Sequence, residues 1–144
     1  VSSWHPNNEL LVTASRDGTA KIWQLTCADQ VFNLSCVNTI TTPHSTPLTS
    51  VCVYHSPVGL HAQERNVVFI GGEDGYVNVY FLHARDGSYE IAHSLTLPSE
   101  HAHTKAVKKI KCRPGQPHRN QEKVAVEFAT CGDDHTVRIH KLYV

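Results

Sequence analysis

The chain has 144 residues, with thirteen Lys and Arg against thirteen Asp and Glu, so its formal net charge is zero. That balance argues against a global electrostatic pull toward nucleic acid or a membrane surface. No apolar run approaches the roughly 20 residues a membrane helix needs, no signal-peptide pattern opens the sequence, and no membrane association is expected.

Methionine is absent, even from position 1, which makes a piece of a longer protein the expected reading. The five cysteines, Cys27, Cys36, Cys52, Cys112 and Cys131, are odd in number and form no C-x-x-C pair. Buried free thiols in a reducing compartment are therefore expected, rather than a disulfide framework.

In chain order the predicted elements are short strands between turn signals. "VSSWHP" (1–6) is a strand closing on proline, and "LLVTAS" (10–15) is an apolar strand running into small residues. Asp17-Gly18 supplies the positive φ that a tight hairpin turn requires. The strand after it is followed by a more variable one, "VFNLSCVNTI" (31–40). The series then begins again: "LTSVCVYHSP", "NVVFIGG", the Asp74-Gly75 turn, a strand through Leu82, and "SYEIAHSLTL". It begins a third time with "AVKKIKCRP", "VEFATCG", Asp134-His135 and "VRIHKL". Polar, Gly- and Pro-containing stretches at 58–66, 83–90 and 114–123 are expected to be inserted loops.

Three segments align without gaps: "TASRDGTAKIWQL" (13–25), "IGGEDGYVNVYFL" (70–82) and "TCGDDHTVRIHKL" (130–142). Asp17, Asp74 and Asp134 coincide, spaced by 57 and 60 residues, as do Trp23, Tyr80 and His140. Past each turn Ile22, Val77, Val79, Val137 and Ile139 alternate with other residues at a period of two. Trp23, Tyr80 and His140 fall on the opposite face, so these strands are expected to be covered on both sides, as in stacked sheets.

These residues resemble WD40 repeats, the four-stranded antiparallel blades of a β-propeller. The resemblance implies an all-β fold of about three blades, with units near 1–42, 43–100 and 101–144, the first and last incomplete. The family's period is about 40–45 residues, so the longer spacing here implies insertions. Three blades leave two open sheet faces. In closed propellers the last blade commonly borrows a strand from the other end of the chain, which would explain why the sequence stops after "HKLYV".

In this family a buried hydrogen-bonded tetrad often braces a blade, linking a loop histidine, a strand Ser or Thr, the turn aspartate and the strand tryptophan. Carried over, the first unit offers Thr13 (or Ser15), Asp17 and Trp23, its histidine lying upstream. The second offers His44, Asp74 and Tyr80, with Ile70 in the hydroxyl position. The third offers His103, Thr130, Asp134 and His140. The stretches "HAHTKAVKKIKCR" and "FATCGDDHTVRIHKL" are further similar to the closing blade of a WD-repeat subunit of the complex that modifies wobble uridine of tRNA. That resemblance implies a non-catalytic scaffold whose partners are the other subunits of that complex: a large scaffold subunit and a catalytic subunit with radical and acetyl-CoA chemistry. It places the protein in the cytoplasm, with the nucleus as a second compartment. The alternative is a WD40 interaction module of another assembly, such as a ubiquitin-ligase substrate receptor or a trafficking coat.

No catalytic residue is expected. There is no G-x-S-x-G elbow, no glycine-rich phosphate loop and no paired-carboxylate motif. Eleven histidines invite a metal reading, through His101, His103, His118, His135 and His140. The ligand spacings of known zinc sites are nevertheless missing, so neither metal, cofactor nor small-molecule substrate is expected. The one basic run is Lys105, Lys108, Lys109, Lys111 and Arg113. Alternation sets Lys109, Lys111 and Arg113 on one side of a strand, a candidate contact for tRNA phosphates or a partner protein. It carries no aromatic platform for base stacking.

Overall fold

The computed structural model describes residues 1–4, 9–56, 65–85, 88–113, 118–120 and 123–143. The architecture is all-β: three antiparallel sheets in succession, each built from consecutive strands. The first sheet has the order β1 (Ser2–Trp4), β2 (Leu10–Ala14), β3 (Thr19–Ala28), β4 (Val31–Thr41). The second runs β5 (Leu48–Ser56), β6 (Arg65–Gly72), β7 (Val77–Arg85), β8 (Ser88–Thr96). In the third, β11 (Lys123–Gly132) is flanked on one side by β12 (Val137–Tyr143). Its other side carries β9 (Val107–Cys112) and β10 (His118–Asn120) in succession.

The three aligned turns share one mechanism. Gly18 and Gly75 both sit at φ 85°, and His135 takes the same left-handed region at φ 61°. Each preceding aspartate caps its turn: Asp17, Asp74 and Asp134 accept the N–H of Thr19, Tyr76 and Thr136 at 2.8, 3.1 and 3.1 Å. An Asx turn of this kind satisfies a backbone donor that the tight reversal would orphan.

Two segments expected as loops are strand in their described parts, residues 86–87, 114–117 and 121–122 lying outside the described residues. The 83–90 stretch lengthens a hairpin, since β7 continues to Arg85 and β8 starts at Ser88. Within 114–123, β10 pairs with the start of β11, His118 opposite Ala125. Hairpin ladders are held by backbone hydrogen bonds, so such a ribbon needs no apolar alternation and reads as a loop. In the 58–66 stretch Asn66 and Arg65 belong to β6, and the rest lies outside the described residues. The β3–β4 hairpin also turns on two non-glycine residues with positive φ, Asp29 and Gln30.

Packing follows the two faces of the middle sheet. Val51, Val53, Val68, Ile70, Tyr80 and Leu82 join Leu10, Val12, Ala20, Ile22 and Ile40 of the first sheet in one core. On the opposite face Cys52, Val67, Phe69, Val77, Val79 and Phe81 join Val107, Ile110, Val126 and Phe128 of the third. Every sheet therefore has the same polarity. The Trp23–Tyr80–His140 position faces back toward the preceding sheet, and the Ile22–Val79–Ile139 position faces forward. Ile22 and Val79 are fully buried by the next sheet, whereas Ile139 is 76% exposed. Val137 is likewise 69% exposed where its equivalents Ala20 and Val77 are buried. Covering an Ile or Val side chain is worth about 1.5–3 kcal/mol, so the forward face of β12, apart from the basic residues of β9, has the composition of one that a neighbouring sheet covers.

Candidate functional site: hydrogen-bonded braces and a basic row

The third sheet assembles a continuous chain of polar contacts. The loop ahead of β9 delivers His103, held by its N–H to the Gly75 carbonyl at 3.0 Å. Its ring is completely buried, and Nδ1 lies 3.0 Å from each oxygen of Asp134. Nε2 lies 2.8 Å from the Thr130 hydroxyl, which in turn lies 3.0 Å from His140 Nε2. With a neutral His103 the polarity of the chain is fixed. Nδ1–H donates to Asp134, leaving Nε2 to accept the Thr130 O–H, so the Thr130 oxygen accepts from His140 Nε2–H. His140 thus does what an indole N–H would do. Its ring stacks on Phe128 with centroids 4.7 Å apart.

Burial pushes the Asp134 carboxyl up, but hydrogen bonds from His103, Thr136 and the Thr104 and Thr136 N–H groups outweigh it and hold the pKa well below the usual carboxylate range. Burial, reinforced by His101, His103 and Arg138, lowers His140 to about 4, so it is neutral at physiological pH. Alignment by the tryptophan position overlooked Thr136, whose hydroxyl donates to Asp134 at 2.8 Å, and the Thr104 N–H. The signal for the former was present, since Thr19 and Thr136 both stand two residues after the turn aspartate.

The other two units are partial. In the first, Trp23 Nε1 donates to the Thr13 hydroxyl at 2.9 Å, so Thr13, not Ser15, is the indole's partner. Asp17 is exposed and binds the Thr19 hydroxyl at 2.7 Å, the main cause of its lowered pKa. In the second, the residues expected to form a tetrad do not converge. His44 is exposed and stacks on Tyr76 at 5.2 Å, while one Asp74 oxygen is buried without a partner among the described residues. Ile70 offers His44 no hydroxyl, and Tyr80 is buried among apolar residues of the first core. Burial raises the Tyr80 pKa.

The basic row is exposed at Lys105, Lys108, Lys109, Lys111 and Arg113, but two members are compensated. Lys108 pairs with Asp133 at 3.0 Å and Arg113 with Glu127 at 2.6 Å. Lys105, Lys109 and Lys111 have no ion pair among the described residues. Lys109 and Lys111 stand opposite Cys131 and Ala129 on the forward face of the third sheet. Among those residues no group of three or more His, Cys, Asp or Glu is gathered as a metal cluster. The thiols do not form one class: Cys52 is buried, Cys112 and Cys131 are half-buried, and Cys27 and Cys36 are exposed. The expectation of buried free thiols is met at Cys52, but Cys27 and Cys36 are exposed because they lie on the solvated β3–β4 hairpin.

Stacked four-stranded sheets with Asp-capped hairpins and this brace define a β-propeller repeat protein. The profile of the family "WD domain, G-beta repeat" matches residues 1–24 and 94–141, half of the chain, and the chain belongs to that family. Three similar proteins carry the same name, Elongator complex protein 2. The human protein is 29% identical over 151 residues, covering 96% of this chain and 18% of that protein. The Drosophila melanogaster protein is 25% identical over 142 residues, covering 96% and 16%. The Arabidopsis thaliana protein is 27% identical over 142 residues, covering 95% and 16%. The chain spans less than a fifth of the length of the curated relatives it matches.

Proposed function

We propose that the chain is part of a non-catalytic WD40 scaffold subunit of the Elongator complex, supporting modification of tRNA wobble uridine through protein–protein contacts. The observation that carries this reading is the similarity along 95–96% of the chain to Elongator complex protein 2 from an animal, an insect and a plant. The geometry agrees with a scaffold, because the most elaborate polar constellation, His140–Thr130–His103–Asp134, is spent inside a sheet. His103, Thr130 and His140 are fully or nearly fully buried.

The partners in this reading are the large scaffold subunit and the catalytic acetyl-CoA and radical subunit, in the cytoplasm and also the nucleus. A tRNA phosphate contact falls on Lys105, Lys109 and Lys111, whose ammonium groups are exposed and uncompensated among the described residues. The deciding experiment is purification of the tagged full-length protein with identification of its companions. Recovery of the tRNA-modifying catalytic subunit is expected, and its absence would defeat the reading. Charge reversal of Lys109 and Lys111 in the assembled complex addresses the RNA contact separately. A weaker salt dependence of tRNA binding is expected, and an unchanged one removes tRNA from this surface.

A further inference from the structure

The two sheets flanking the second core bring together two thiols that are 60 residues apart in the sequence. Cys52 on β5 stands opposite Phe69 of β6, and Cys112 on β9 stands opposite Phe128 of β11. The Phe69 and Phe128 rings meet across the core with centroids 4.4 Å apart. Beside them the two sulfurs meet at 3.4 Å. The thiols are thus held facing each other by a register that the aromatic pair locks. Thr49 on β5 ties the same strands, its hydroxyl donating to the Val107 carbonyl at 2.6 Å.

We propose that Cys52 and Cys112 form an oxidative modification site, a dithiol that a peroxide converts to a disulfide joining the second and third sheets. The sulfurs need to approach from 3.4 Å to a bond length of about 2.05 Å, a rotamer adjustment within facing strands. One thiolate attacks a peroxide oxygen, the O–O bond breaks, and the leaving oxygen departs as water with a proton from the pair. This leaves a sulfenic acid. The second sulfur then attacks the first, the S–S bond forms, the S–O bond breaks, and a second water leaves. Two thiols and one hydrogen peroxide give one disulfide and two waters.

The thiol–thiol hydrogen bond lowers Cys52 to about 7, against burial, and Lys111 assists. The same contact and burial raise Cys112, so the pair releases one proton readily and keeps the other. Such a thiolate with a resolving thiol in contact is what distinguishes an oxidisable pair from inert buried cysteines. Cys112 is only half-buried, which gives a small oxidant an approach.

The test treats the full-length protein with hydrogen peroxide, blocks remaining thiols and maps peptides without reduction. A linked pair of Cys52 and Cys112 peptides is expected, formed in the native protein and lost when peroxide is added in denaturant. In C112S, whose hydroxyl keeps a hydrogen-bond donor beside Cys52 but cannot close a disulfide, Cys52 is expected to stop at a sulfenic acid that a dimedone probe captures. Should C112S fail to fold, the native-against-denatured comparison on the unsubstituted protein decides alone. Oxidation confined to the exposed Cys27 and Cys36, with Cys52 and Cys112 still alkylated as separate thiols, would overturn the assignment.

Discussion

Replacing Thr130 by valine removes the hub of the third sheet's brace while keeping the β-branched shape. The hydroxyl is in contact with His103 Nε2 at 2.8 Å and His140 Nε2 at 3.0 Å. All three residues are nearly or fully buried, so no solvent replaces the lost partner. A net hydrogen bond contributes about 0.5–1.5 kcal/mol, and each buried group left unpaired costs about 1–3 kcal/mol. Two orphaned ring nitrogens therefore put T130V at about 2–5 kcal/mol of destabilisation. The half-buried Thr13–Trp23 bond has a single partner and a wetter setting, so T13V is expected to cost about 1 kcal/mol. Chemical denaturation of the full-length protein measures both. A double-mutant cycle of T130V with H140F then isolates the pair, and about 1 kcal/mol or more of coupling is expected. A T130V loss no greater than that of T13V, or additive singles in the cycle, would refute the closed polar chain.

Three other outcomes follow from the same geometry. His140 ordinarily titrates near 6.5 and is lowered to about 4 in the fold, so the unfolded chain takes up its proton first as pH falls. Stability from this group is complete above pH 6.5 and is lost between there and pH 4, a loss of about 3 kcal/mol for a shift of this size. Denaturation at several pH values should show this slope in the natural sequence and not in H140F. In G75A a Cβ on the left-handed backbone would overlap the His103 carbonyl oxygen, so a loss of about 3 kcal/mol or more is expected, against about 1–2 kcal/mol for G18A. Conversely, H135G relieves a left-handed non-glycine residue at φ 61° and should raise the denaturation midpoint by the equivalent of about 1 kcal/mol.

Much of the sheet architecture was legible because its determinants are local. The Asp-Gly pairs announced their turns, and period-two alternation after Asp17, Asp74 and Asp134 fixed which residues look forward and which look back. Hairpin ribbon was legible only in part. β4 read as a strand although it is exposed along Val31–Ser35, whereas β10 hid in a Pro- and Gln-containing stretch. The brace was legible at Thr130, His103, Asp134 and His140, where every partner type was present. It failed at His44, because spacing places a residue in a loop but cannot say which way its ring turns when Ile70 offers nothing to bind. The Cys52–Cys112 contact depends on the register between two separate sheets, a long-range quantity that no local pattern encodes.

The uneven braces then have a physical order. The middle sheet is covered on both faces, and there the hydroxyl and indole positions are Ile70 and Tyr80, both buried in the first core. With apolar area on either side, that sheet gains from burial what the others gain from a directed polar chain. The third sheet has its forward face open among the described residues, with Val137 and Ile139 exposed. Only its backward face contributes to a core, and that face carries the complete brace. The first sheet is the mirror case. Its forward face packs on the middle sheet, and its backward face keeps the Thr13–Trp23 bond beside an exposed Trp4. Apolar burial is non-directional and tolerates shifts between sheets, whereas a hydrogen-bonded chain fixes one loop, one turn and two strands relative to one another. The polar rows therefore serve registration more than adhesion. That is the property a scaffold surface requires, because partners read the positions of loops and turns held at the ends of the sheets.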